Sequence, residues 1–299
     1  MEEQVNEPLA RYTTLRIGGP AGHLYQPHTA EELTTIVSRL QQASEPWHIL
    51  GGGSNLLVSS RGVSGSVIRT AQLIEMKQLD SNLVEASAGV RLPHLARFAA
   101  SLGLAGLEFS VGIPGTVGGA VVMNAGAHGG CMADVIESVL VYDALKNSLI
   151  TLNKDDLTFS YRRSTIDPSR QVVISARLKL HSDAPDKIET RIKANEEYRL
   201  KTQPIGFPNA GSTFVNPEPK RGAGFLLDQA GAKGMACGQA AVSTLHANFV
   251  INLGQATSQD ATDLLKRMQD LVYKTYSLSL HPEWKTLGEF TEADLTPWK

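Results

Sequence analysis

The chain has 299 residues, of which 42% are hydrophobic and 19% charged, a composition that excludes a disordered or fibrous protein and leaves room for two or three compact units. Its net charge of -2 gives no broad positive field for nucleic acid or an anionic membrane surface, so neither is expected as a partner. No apolar run reaches the about 20 residues that a membrane helix needs, the acidic start Met1-Glu2-Glu3 is unlike a signal peptide, and two cysteines are too few for a disulfide framework. A cytoplasmic protein is expected.

In chain order, Thr14 to Pro20 reads as a short strand running into a turn. Thr29 precedes Glu32 by three places and apolar residues recur at Leu33, Ile36, Val37 and Leu40, which predicts a capped helix ending before Pro46. Strands are expected at Trp47 to Leu50, Leu56 to Val58, Ser66 to Thr70 and Leu83 to Ala88. A helix is expected from Leu92 to Leu102, stopped by Gly103. Further strands fall at Val135 to Tyr142 and Val172 to Leu180. Asp183 to Lys201, polar and rich in both charge signs, reads as an exposed helix joining two units. Beyond it come a helix at Gly222 to Ala230, strands near Ala240 to Val242 and Asn248 to Asn252, and an amphipathic helix over Ser258 to Tyr276. There is no internal repeat.

The most unusual stretch runs from Gly112 to Gly130 and is dense in glycine with almost no charge. Glycine loses more backbone freedom on folding than any other residue, so something must press close to bare backbone here. Two explanations are open: a flat cofactor or phosphate, or chain packed on chain. Gly51-Gly52-Gly53-Ser54-Asn55, after a strand, gathers backbone N–H groups into a plausible diphosphate cradle, and equally suits a hairpin loop. The eight histidines show no metal-binding spacing, so no metal is expected.

Thr14 to Ala21, Gly51 to Val58, Gly106 to Gly130, Ser160-Tyr161-Arg162-Arg163-Ser164, Gln203 to Phe214 and His246-Ala247-Asn248-Phe249 together resemble the UDP-N-acetylenolpyruvoylglucosamine reductases, in family order over nearly the whole chain. The tyrosine-bearing loop of the longer family type is absent. The resemblance implies an α+β protein with a vanillyl-alcohol-oxidase/PCMH-type FAD-binding fold of two α/β subdomains, residues 1–70 and 71–182, and a C-terminal α+β substrate-binding domain, residues 183–299. It implies FAD as cofactor, NADPH as co-substrate and a UDP-sugar as substrate. Gly51, Gly52, Gly53, Ser54 and Asn55 would meet the FAD diphosphate; Ile113, Pro114, Gly115, Thr116, Gly118, Gly119, Asn124 and Gly126 would lie along the cofactor.

The implied chemistry delivers hydride to the terminal carbon of an enolpyruvyl group, pushes charge into its carboxylate as an enolate, and protonates the neighbouring carbon. It needs a cation or hydrogen-bond donor on the carboxylate and a placed proton donor. By the resemblance, Ser212 in Ala-Gly-Ser-Thr-Phe is the proton donor, Arg162 the carboxylate-binding arginine, and Glu283 the group that steadies the enolate, as a neutral hydrogen-bond donor. Read without it, Ser212 is a turn or cap serine, Arg162 a surface arginine and Glu283 an exposed strand residue. Asn216 matches a substrate-side position. Lys201 stands one step back from the basic residue expected at Thr202, and Trp284 stands where many relatives carry a β-branched residue. An FAD-linked oxidase of another substrate, or a non-catalytic flavin- or nucleotide-binding relative, are the alternatives.

Overall fold

The computed structural model describes residues 2–217 and 221–299. Internal contacts divide the chain into two units that are not contiguous in sequence. One holds His23–Gly52 and Gly65–Arg199 with the chain start up to Gln4; the other holds Val5–Gly22, Gly53–Ser64 and Leu200–Lys299.

In the first unit, helix Ala30–Gln42 begins where Thr29 Oγ1 accepts the Glu32 N–H at 3.1 Å, and it buries Leu33, Ile36, Val37 and Leu40 with Tyr25, Ile68 and Ile174. Strand Trp47–Leu50 runs parallel to residues 66–69, so its carboxyl end opens directly into Gly51 and Gly52. That is the end of a parallel strand where α/β proteins hold ligands. An antiparallel sheet follows in the order Ser148–Asn153, Ile136–Asp143, Gln171–Lys179, Leu83–Ser87, Met76–Asp80. Helices Leu92–Ser101 and Val117–Val122 pack into the same core as Val84, Ala176 and Leu178 of that sheet.

Strands Met76–Asp80 and Ser148–Asn153 form the two edges of the sheet and are mostly exposed; only Ile150 and Leu152 alternate with polar residues, too short a pattern to mark a strand. The polar helix forms over Pro185–Thr202. It is more than a connector: Ile188 and Ile192 enter the core, and Arg97 bridges to Glu189 and Glu196 while Arg191 bridges to Glu108 and Asp183.

In the second unit, strands Ala236–Cys237, Ala240–Val242 and Val250–Asn252 form an antiparallel sheet. Helix Ser258–Tyr276, capped by Thr257, lays Leu264, Leu265, Met268 and Val272 into a core with Phe214, Leu226 and Trp284. Lys285–Leu287 pairs in parallel with Leu56–Val58. Thr14 to Pro20 is not the expected strand. Arg16 takes φ 56°, and side chains replace ladder bonds: Thr13 Oγ1 donates to Ile17 O, and Asn252 Nδ2 donates to Leu15 O at 3.0 Å. Leu15 and Ile17 are thereby anchored in the core, and the strand pairing of Glu2–Pro8 resumes only at Pro20–Gln26. No helix among the described residues is long and apolar enough to cross a membrane.

Candidate active site

In the first unit, bare backbone at Gly51 and Gly52 faces the segment Pro114 to Thr116. A Cβ on Gly51 would stand 2.6 Å from Thr116 Oγ1, and one on Gly52 would stand 3.2 Å from Pro114 O. Thr116 is 2% exposed, yet its hydroxyl has no hydrogen-bond partner among the described residues and does not cap helix Val117–Val122, which it precedes. Burying a hydroxyl without a partner costs free energy. Exposed Gly119 would bring a Cβ no nearer than 3.9 Å to that same hydroxyl.

Other glycines of the run answer to packing. A Cβ on Gly118 would meet Ala88 Cβ at 3.0 Å, and one on Gly126 would meet Gly130 O at 2.6 Å inside a two-stranded hairpin. Chain packed on chain thus accounts for Gly118 and Gly126 and, by the same measure, for Gly51 against Thr116, whereas Gly119 is exposed with open space beside it.

Arg162 is not on an extended strand. It sits in the tight turn between Phe159–Ser160 and Arg163–Ser164, with φ 59°, its guanidinium carbon 5.0 Å from the centre of the Tyr161 ring and its Nη1 donating to Gly126 O at 3.1 Å. The Asn124 side chain is bonded to Ser160 O and Ala133 N, and Ser164 Oγ to Val122 O.

In the second unit, Ser212 and Glu283 lie on bonded neighbouring segments. Glu283 N donates to Thr213 O at 2.8 Å, Phe214 faces Pro282 in an antiparallel bridge, and Val215 N donates to His281 O. Gly211, at φ 74° with no atom within 4 Å of where a Cβ would be, leads into Ser212. The Ser212 hydroxyl, half-buried, makes no hydrogen bond among the described residues. Buried Asn248 holds this segment rigidly: Oδ1 accepts from Phe214 N and Nδ2 donates to Phe214 O, both at 2.9 Å, while Asn248 O accepts Thr213 N–H. Asn55 Nδ2 donates to Glu283 O at 3.2 Å. Gly53, at φ 61°, presses on the Tyr12 carbonyl, and Ser54 is half-buried. Asn216 Oδ1 accepts the Ala223 N–H at the start of helix Ala223–Gln229, and Lys201 is exposed.

Two family patterns match this chain: the FAD binding domain over residues 21–149, and the UDP-N-acetylenolpyruvoylglucosamine reductase C-terminal domain over residues 203–287. The chain is 46% identical over 290 residues to the reductase of that name from Parasynechococcus marenigrum, covering 96% of each. It is 44% identical to that of Moorella thermoacetica, covering 95% of this chain and 93% of the relative. The crystal structure of the enzyme from Thermus caldophilus superimposes with a TM-score of 0.81 at 37% identity, covering 96% of this chain and 98% of the other. The chain belongs to the UDP-N-acetylenolpyruvoylglucosamine reductase family. It is an FAD-dependent oxidoreductase with an FAD binding domain and the family's own C-terminal domain.

Within this reductase family, the tryptophan at position 284 has a structural reason: it is fully buried in the second unit's core, and its carbonyl accepts the Trp298 indole N–H at 2.8 Å. Sequence reasoning passed over Arg199. Its Cδ would lie 3.1 Å from a Cβ on Gly112, burial holds its guanidinium below the usual arginine range, and no carboxylate among the described residues pairs with it. Its cation also helps lower the pKa of His128, after the larger effect of burial. Nothing in the charge pattern of the polar helix separates Arg199 from its solvated neighbours.

Burial, and then the Lys233 charge, lower the pKa of His246, whose Nδ1 accepts the Asn248 N–H at 3.1 Å. The unfolded histidine titrates near pH 6.5. Its contribution to stability is therefore present above that pH and is lost as pH falls through the lower folded value. Thermal melts in mild acid should show reduced stability against neutral pH, and His246→Gln should shrink the difference. A difference unchanged in that variant would assign the acid sensitivity elsewhere.

Proposed function

We propose that this chain reduces the enolpyruvyl group of UDP-N-acetylglucosamine enolpyruvate to UDP-N-acetylmuramate with NADPH, in peptidoglycan precursor synthesis in the cytoplasm. The observation that carries this reading is the pairing of Ser212's segment with Glu283's in a chain of the reductase family. Free Cys131 and Cys237 suit a reducing compartment. Residues 1–70 and 71–182 are read as the two FAD subdomains and residues 183–299 as the substrate domain.

The donor set fits FAD: the Thr116 hydroxyl, without a hydrogen-bond partner among the described residues, and the half-buried backbone of Gly51 and Gly52 suit an anionic group. When bound, FAD supplies the hydride carrier between NADPH and the substrate. Gly51 to Asn55 would hold its diphosphate, and Ile113 to Gly119 with Gly126 would lie along it. Arg162 would fork onto the substrate carboxylate, where negative charge grows as hydride reaches the terminal carbon. Ser212 Oγ–H would protonate the carbon beside that carboxylate. Glu283 would donate a hydrogen bond to the enolate oxygen, and Lys201 and Asn216 would hold the sugar nucleotide.

The reading is tested by anaerobic incubation of the FAD-loaded protein with NADPH and the enolpyruvyl sugar nucleotide. A product two mass units heavier than the substrate is expected; consumption of NADPH without it would refute the assignment. The cofactor cradle has its own test. Thr116→Val removes a hydroxyl with no protein partner, so the apoprotein should melt no lower than the unaltered one. FAD affinity in a fluorescence titration should fall about tenfold or more, the loss of a hydrogen bond to a charged group. Unaltered affinity would remove Thr116 from the cradle.

A further inference from the structure

The turn that carries Arg162 is tied on three sides to one short stretch of chain. Ser164 Oγ donates to Val122 O at 2.9 Å, Asn124 Nδ2 donates to Ser160 O at 3.0 Å, and Arg162 Nη1 donates to Gly126 O at 3.1 Å. Of these ties, the one at Asn124 is built most tightly. The residue is 7% exposed, and its Oδ1 also accepts the Ala133 N–H at 3.0 Å, so the amide is gripped from both ends. Its φ of 42° lies in the left-handed region, which asparagine tolerates better than most residues. Left-handed backbone and a two-ended amide are both asked of one side chain, and few residues other than asparagine meet the two demands. Arg162, at φ 59°, is itself held in a conformation costly to an arginine, so the turn keeps its shape only if its surroundings fix it.

We propose that Asn124 is a positioning residue, whose buried amide holds the Ser160-to-Arg163 turn so that the Arg162 guanidinium is presented to the substrate carboxylate. This rests on the role given to Arg162 under the proposed function, and it replaces a cofactor contact as the reason for asparagine at this position. The amide acts through the Ser160 carbonyl. It donates to the base of the turn, while the arginine's own head is steadied two residues further on at Gly126.

Asn124→Asp tests this in the FAD-loaded protein, because it keeps the acceptor for Ala133 and turns the donor facing Ser160 O into a repelling oxygen. Amide hydrogen exchange should accelerate over residues 159–164 with FAD still bound. The kcat/KM for the enolpyruvyl substrate should fall about tenfold, mainly through KM, and in an Arg162→Met background the same change should cost less than about twofold. Asn124→Gly, which keeps the positive φ and loses both bonds, should behave likewise and guards against a misfolded first variant. Loss of FAD with the activity would make Asn124 a cofactor contact and overturn the proposal. So would losses that simply add in the double variant, or unchanged exchange over 159–164. An Arg162→Met protein with full kcat/KM would instead sink the role of the arginine, a failure separate from that of the tether.

Discussion

Ser212→Ala should leave the protein yellow, with NADPH bleaching the flavin absorbance at the unaltered rate, while recovery of the colour on adding the enolpyruvyl substrate slows about a hundredfold or more. A serine hydroxyl is a weak acid, so the loss is confined to the step in which the carbon beside the carboxylate takes its proton. Rapid mixing under anaerobic conditions resolves the two phases. The structural basis is local. Gly211, at φ 74°, turns the chain just before Ser212, and Asn248 holds Thr213 by its backbone carbonyl and Phe214 by both ends of its amide. Equal rates of recovery would take Ser212 out of the reaction.

Arg162→Lys should lower kcat/KM for the same substrate on the order of a hundredfold, although the positive charge is kept. Lysine cannot fork onto a carboxylate, and it would lose the planar contact over Tyr161 as well as the geometry of the bond to Gly126 O. Transition-state charge is held best by donors already aimed at it, and a flexible ammonium must be ordered first. Steady-state kinetics at saturating NADPH measure the effect. A loss of less than about threefold would mean that simple charge suffices and that the forked contact is not made.

Much of the fold was legible because its apolar periods are strong. Leu33, Ile36, Val37 and Leu40, and the stripe along Ser258–Tyr276, could only be helices with one buried face. What escaped was held by side-chain hydrogen bonds instead of by period. Thr14 to Pro20 alternates like a strand, yet Thr13 and Asn252 satisfy its backbone from outside any ladder. The edge strands Met76–Asp80 and Ser148–Asn153 carry little apolar signature beyond Ile150 and Leu152 because most of their residues meet water.

The site divides in the same way. Motif residues announce themselves in sequence, but what each does there depends on neighbours brought from far along the chain. Gly118 and Thr116 stand two places apart in one glycine-rich run, and only coordinates separate the first, pressed on Ala88, from the second, with its hydroxyl unspent. Asn124 reads as one more polar residue beside glycines until Ser160 and Ala133 are found on its amide. Arg199 belongs to a helix whose pattern says solvent, and the burial that desolvates it leaves no mark in the sequence.

The most direct test follows the proton. Turnover in deuterated water, with the product isolated and read by NMR, should place deuterium on the carbon next to the lactyl carboxylate, and Ser212→Ala should slow that labelling in step with product formation. Ordinary hydrogen at that carbon, or labelling in Ser212→Ala at the unaltered rate, would contradict the account.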